Sequence, residues 1–271
     1  MNKIETLNIG NTIIEEYNSG KSCAFLSKKY NISSAIISKF LKKNGITVIN
    51  RQNEQLGLIK DIFSIINTEE KAYWLGFLYA DGNISFNTNA IYIALKESDR
   101  NHLEKFKKFI GGNINIFYKK SVNACVITFK CKEMKKDLIS LGCIPRKTWL
   151  INSIPNIKEE LKIHFIRGYF DGDGCITYGS SQKNGKRKVV INIVSNEKML
   201  KSICNYFNET KIFSSKKNTN ILLLRWYGDR AAEILNLMYE NATIYLNRKY
   251  ERYQIFKKNN FAVWKSDLPN Y

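Results

Sequence analysis

The sequence predicts an α+β protein: a pseudo-twofold, duplicated αββαββα core preceded by a small all-α helix-turn-helix module. Three observations carry this. Two apolar stretches, residues 73–82 (YWLGFLYADG) and 165–174 (FIRGYFDGDG), both end in a small residue, Asp and Gly, with Asp81 and Asp173 lying 92 positions apart. The same order of strand-like and helix-like segments follows each, and such self-similarity is a primary sign of architecture. Near the N-terminus, Leu26, Tyr30, Ile32, Ile37 and Leu41 are spaced 4, 2, 5 and 4 apart, the steps of two short crossing helices. The expected limits are 1–50 for the module, 51–68 for a linker, 69–155 and 156–258 for the repeats, and 259–271 for a tail.

Each element has its own justification. In the first repeat, residues 83–87 alternate polar and apolar, sending Ile84 and Phe86 to the core and Asn83, Ser85 and Asn87 outward. A second strand covers 91–96. Asp99 is a candidate cap for a helix holding Leu103, Phe106 and Ile110, stopped by Gly111-Gly112. Strands near 114–118 and 125–129 and a helix over 133–141 complete the unit. The second repeat reads alike, with strands at 175–178 and 188–194 and a helix holding Met199, Leu200, Ile203 and Phe207. Strands follow near Ile212 and over 221–227, then a helix over 231–239. Here Ile191, Ile193, Leu222, Leu224 and Trp226 are expected inward, and Lys188, Asn192, Arg225 and Tyr227 outward. In the N-terminal module a helix over 11–17 ends at Ser19-Gly20, and Asn31 suits a left-handed turn. Ser33 or Ser34 caps the next helix. Its outer face offers Ser34, Ser38, Lys39 and Lys42 to a groove or to phosphates, although three-helix modules without a DNA role share the pattern.

The 271-residue chain is 44% hydrophobic, as folded proteins are, and its 43 Lys and Arg against 24 Asp and Glu give a formal charge of +19. A polyanion is the expected partner: nucleic acid or an acidic membrane surface. A generally basic proteome would give the same balance. The interleaving of basic residues with tyrosine, tryptophan and asparagine, instead of a basic tail, favours a partner. No run approaches the ~20 apolar residues of a membrane span, and MNKIETLNIG has no apolar signal core. An intracellular protein is expected, in cytoplasm, nucleoid or an organelle. Six cysteines form no CxxC pair and only two histidines accompany them. A structural zinc site is therefore not expected, and buried thiols in a reducing compartment are.

The acidic helix ends pose the chemical question. Gly76 and Ala80 are four residues apart, as are Gly168 and Gly172. Positions i and i+4 share a helix face, and small residues there allow backbones to approach closely. Packing the two helices would bury their apolar middles and bring Asp81 and Asp173 together at the rim. Adjacent carboxylates repel, and a divalent cation relieves the repulsion. Alternatively each Asp-Gly only turns the chain into a hairpin; matching positions in both copies favour the paired site. A calcium loop fits poorly, because the next ligand position after Asp171 and Asp173 is Cys175.

WLGFLYADG and IRGYFDGDG resemble the two signature helices of the LAGLIDADG homing endonucleases, and the similarity runs from about residue 68 to 256. One departure is visible: the first acid of the motif is Tyr79 in the first copy and Asp171 in the second. The resemblance implies a monomer whose two sheets straddle duplex DNA at a long asymmetric target. It implies a site-specific double-strand endonuclease that holds two or more Mg2+ ions with Asp81 and Asp173, helped by the carbonyls of Ala80 and Gly172. Lys147 and Lys249, each in an Arg-Lys dipeptide after the last helix of its copy, correspond to lysines of the catalytic pocket. A plain phosphate-contacting patch is the alternative for both. The outward residues Asn83, Ser85, Asn87, Lys188, Asn192, Arg225 and Tyr227 would then read DNA. An RNA maturase on the same scaffold and a transcription regulator on an inactive one are the competing functions. An intein is not expected, since the first residue is Met1, not Cys or Ser, and no His stands beside Asn270. Nor is a His-based nuclease, since His102 and His164 are isolated and read as structural.

Overall fold

The computed structural model of the chain describes residues 4, 8–19, 21–48, 57–145, 153–183, 185–210, 214–215 and 222–268. Two compact units result, Met1–Leu56 and Gly57–Tyr271. In the first, helices α1 (Gly10–Asn18), α2 (Cys23–Tyr30) and α3 (Ser34–Lys43) enclose Ile4, Ile13, Tyr17, Leu26, Ile32, Ile37 and Leu41. Ser22 and Ser33 cap α2 and α3 by accepting the Phe25 and Ile36 amides, and Asn31 stands between them at φ 51°.

The second unit begins its first half with α4 (Glu69–Ala80), started by the Thr68 hydroxyl on the Lys71 amide. Then come β1 (Gly82–Ile84), β2 (Ala90–Lys96), α5 (Arg100–Ile110), β3 (Ile116–Lys119), β4 (Ala124–Lys130) and α6 (Lys132–Ser140). Its second half runs α7 (Glu159–Asp173), β5 (Gly174–Ser181), β6 (Arg187–Ser195), α8 (Glu197–Tyr206), β7 (Ser214–Ser215), β8 (Leu222–Tyr227) and α9 (Gly228–Tyr239). α10 (Asn247–Lys258) and β9 (Ala262–Val263) follow. The two sheets are antiparallel and share a strand order, β1-β2-β4-β3 and β5-β6-β8-β7. They also share a register: Gly82 lies opposite Ile93, and Gly174 opposite Ile193. Alternation buries Ile91, Ile93, Ile127, Ile191, Ile193, Leu224 and Trp226 on one face of each sheet. α4 and α7 pack against each other more extensively than any other pair of elements. Residues 72–79 of α4 and 165–171 of α7 are buried on all sides, which marks a central helix pair and not an amphipathic surface pair.

Four expectations need correction. Phe86 is 74% exposed. The strand stops at Ile84 because the Ser85 hydroxyl accepts the Thr88 amide and folds residues 85–89 into a polar turn, which also carries Asn87. Asp99 stands at the N-cap position of α5 without capping it; its buried carboxylate receives Arg248 Nε at 2.9 Å. The segment read as a tail contains β9, which pairs with Arg187 and Lys188 of β6. Not every thiol is buried, for Cys175 is exposed. Ile212 and Lys147 lie outside the described residues.

Candidate active site at the ends of the helix pair

The site starts from two missing side chains. A Cβ on Gly168 would stand 1.9 Å from the Tyr73 carbonyl oxygen, and one on Gly76 would stand 2.0 Å from that of Phe165. The backbones of α4 and α7 are therefore in direct contact at their crossing. One turn later a Cβ on Gly172 would meet the Ala80 Cβ at 2.3 Å and Asp81 Oδ2 at 3.3 Å. The half-exposed Asp81 carboxylate thus lies against the last turn of α7, which ends at the exposed Asp173. Ala80 and Gly172, half-buried, are the contact between the two helix ends.

Residues beneath this rim hold it in place. The buried Tyr169 hydroxyl shares a 2.7 Å hydrogen bond with Ser195 Oγ. Burial raises its pKa well above the usual phenol range, and the charges of Asp173 and Asp81 raise it further. Asp171 is fully buried. Its carboxylate accepts Tyr73 Oη and the Leu246 amide, each at 2.7 Å, and also Tyr239 Oη. Burial raises its pKa; the nearby Lys249 charge and these donors oppose the rise. Because Tyr73 donates to Asp171, its oxygen accepts from His102 Nε2 at 3.0 Å, which puts the imidazole proton on Nε2. His102 Nδ1 is buried without a hydrogen-bond partner among the described residues.

Lys249, in the first turn of α10, is only 3% exposed. Its ammonium donates to the carbonyl of Asp171 at 2.8 Å and to that of Phe170. A cation there satisfies helix-end carbonyls and complements the helix dipole. Burial pushes its pKa down to about 8 against the opposing pull of Asp171. In this arrangement Lys249 secures the end of α7 from below and does not present its ammonium to solvent.

The matching position in α4 is Tyr79, whose hydroxyl donates to the Leu141 carbonyl. Gly142, at φ +91°, leaves room for it: a Cβ there would stand 2.4 Å from Tyr79 Oη. At the other end of the pair, buried Arg167 reaches Glu69 Oε1 at 2.6 Å and the carbonyls of Met238 and Ile244. Burial works to raise the Glu69 pKa, but the Thr243 amide and the Arg167 charge outweigh it and hold it low. The Arg inside the apolar run of residues 165–170 was the sequence signal for this pair. Nothing in spacing announced Tyr73, Tyr239 or Tyr169.

The outward sheet residues divide. Asn83, Lys188, Arg225 and Tyr227 are exposed and Asn192 is half-exposed. Lys188 is ion-paired to Asp229, and Arg225 bonds Asn192 and Tyr227. Ser85 and Asn87 belong to the turn beyond β1. In the N-terminal unit, Lys39 and Lys42 are exposed on α3, with Ser34 and Ser38 half-exposed.

The donor set suits magnesium. Among the described residues no three His, Cys, Asp or Glu side chains converge, so no all-protein cage exists there. Mg2+ binds through one or two carboxylates, keeps waters and is completed by substrate phosphates. Asp81 and Asp173 would hold it, with the carbonyls of Ala80 and Gly172 at hand.

The family model described as LAGLIDADG endonuclease matches residues 166–260, from α7 to the end of α10. An uncharacterized protein of Methanocaldococcus jannaschii, MJ0314, is 26% identical over 198 residues, covering 67% of this chain and 71% of that one. Among solved structures, the LAGLIDADG meganuclease I-AabMI bound to uncleaved DNA superposes with a TM-score of 0.50 at 15% identity, over 69% of this chain and 88% of its own. The LAGLIDADG homing endonuclease I-LtrWI bound to target DNA gives 0.50 at 14%, over 71% and 90%. The chain has a mixed helix and antiparallel-sheet fold resembling that of LAGLIDADG meganucleases, with a LAGLIDADG endonuclease domain match over its second half.

Proposed function

We propose that the chain is a site-specific double-strand DNA endonuclease acting as a monomer, with a duplicated core that cuts and an N-terminal helix-turn-helix that adds DNA contact. The observation that carries this is that Asp81, at the end of α4, lies against Gly172 in the last turn of α7, one residue before Asp173. The charge of +19 supports a polyanionic substrate. The solved neighbours named above are bound to DNA.

Each acid serves one strand. Asp81 and Asp173 orient the two scissile phosphates, and the close crossing at Gly76 and Gly168 sets their separation. Lys249 and the Asp171 cluster keep the end of α7 from fraying under the repulsion between the acids. Lys147, in the Arg-Lys dipeptide of the first half, is assigned a catalytic role alongside Asp81. Bound Mg2+ would supply Lewis-acid polarisation of the phosphates and an acidified water. No side-chain nucleophile is required, and each cut releases a phosphate and a hydroxyl end.

The test is Asp81→Asn and Asp173→Asn. Each variant should lose double-strand cleavage in magnesium while binding DNA in calcium as the parent does. Full cutting by either variant would remove the assignment. A variant that nicks one strand would assign its lost acid to the other.

A further inference from the structure

The two sheets share a register, so their outward residues can be compared position by position. Next to the acids, sheet one presents the cross-strand row Asn83, Tyr92 and Thr128. Sheet two presents Cys175, Asn192 and Arg225 at the corresponding places. Each row begins two residues after its acid. The row on the acid side carries less recognition chemistry, with Ala94 and Val126 in sheet one corresponding to Val194 and Leu223 in sheet two. The row on the other side holds Ala90 and Lys130 in sheet one and Thr177, Val190 and Tyr227 in sheet two.

The two rows differ in their hydrogen-bonding character. In sheet two, Arg225 Nε donates to Asn192 Oδ1 at 2.7 Å, and Nη1 donates to Tyr227 Oη at 3.0 Å. The guanidinium also lies 5.7 Å from the Tyr227 ring centroid. Two of its five N–H groups are therefore used, and the Nη1–Nη2 end is left for another acceptor. Among the described residues Nη2 has no partner. The bond to Oδ1 also orients the Asn192 amide so that its NH2 group points away from Arg225. This row presents donors side by side. The base edge with two adjacent acceptors and no donor in the major groove is guanine, at O6 and N7. Sheet one presents an amide with both donor and acceptor at Asn83, a 38% exposed Tyr92 ring and the Thr128 methyl. An amide matches adenine N6 and N7, and apolar groups match the thymine methyl.

We propose that these two rows read corresponding base pairs of the two half-sites with opposite preferences: guanine under Arg225 and Asn192, and an A·T pair under Asn83, Tyr92 and Thr128. Arg225 makes the base contact, and Asn192 and Tyr227 position it. This rests on the endonuclease reading for its substrate, but it concerns binding alone.

The experiment is binding selection from a library of randomised duplexes, in calcium, with the full chain. The enriched motif should hold G·C at one position and A·T at the matched position of the opposite half. Arg225→Ala should relax the G·C position by roughly tenfold or more and leave the A·T position sharp. Asn192→Ala should relax the same G·C position, because it frees the guanidinium. Tyr92→Ala should relax only the A·T position. All three side chains lie on the outward face, and thermal melting shows whether each variant folds as the parent does. An enriched motif whose G·C position survives Arg225→Ala would overturn the row assignment and leave the endonuclease reading intact. Failure to enrich any sequence would overturn both.

Discussion

Tyr79 and Asp171 stand at matching positions, two residues before Asp81 and Asp173, with opposite hydrogen-bonding demands. Tyr79 donates to a carbonyl at the end of α6, and Asp171 accepts from residues at and beyond the end of α9. The departure from the motif is therefore a change of bond polarity at a shared structural joint. Asp171 extends this joint through Tyr73 to His102, which gives a pH prediction. Burial holds the His102 pKa well below 6.5, and the charges of Lys105, Arg248 and Lys249 lower it further. The unfolded chain binds a proton near pH 6.5 and the folded one resists it. Stability should thus be full above about 6.5 and fall with acidification, by up to about 1.4 kcal/mol per pH unit. His102→Gln removes this titration and keeps an N–H for Tyr73. Asp171, whose raised pKa contributes with the opposite sign, is present in both chains. Denaturant titrations from pH 7.5 to 5 should give a flatter curve for the variant; parallel curves would show that His102 is not held neutral.

At the scale of elements, the α4–α7 crossing decides the geometry of the site. A Cβ at Gly168 or Gly76 would meet a carbonyl oxygen of the other helix, part of a backbone that cannot rotate away. Overpacking of this kind costs about 3 kcal/mol or more. Gly168→Ala should lower Tm by roughly 10 °C and impair cleavage even below Tm, since the acids move apart with the helices. Gly168→Leu should prevent folding. An unchanged Tm for Gly168→Ala, measured by calorimetry, would contradict the packing. This crossing was legible in the sequence because small residues at i and i+4 have one strong structural use in an apolar helix. The sheets were legible from their period of two, and that logic failed where local chemistry replaced it. Ser85 and Thr88 closed a turn that left Phe86 in solvent. β9 is two residues long and exists only through its pairing with β6, so no periodicity announces it. Asp99 reads locally as a cap, yet it bonds Arg248 across 149 positions, a partner that only the tertiary fold supplies.

At the scale of the whole chain, two separate cores predict separable functions. Ile13, Tyr17, Leu26, Ile37 and Leu41 close a core within Met1–Leu56. The helix pair and both sheets close another within Gly57–Tyr271. A chain starting at Gly57 keeps Asp81, Asp173 and every residue that supports them, so it should fold and retain metal-dependent cleavage at high enzyme concentration. It loses the exposed Lys39 and Lys42 of α3, and with them counterion release on binding. Neutralising either lysine in the full chain should reduce the slope of log K against log salt by about one. Removing the unit should reduce it by at least the sum of both and shorten the protected DNA at one end of the site. Footprinting and salt titration of the two lengths of chain on one cleavable duplex decide the matter. Equal slopes and footprints would assign the N-terminal unit to a partner other than DNA. Loss of all cutting at saturating enzyme would make it part of the catalytic fold, and the independence of the two cores would then be the claim that fails.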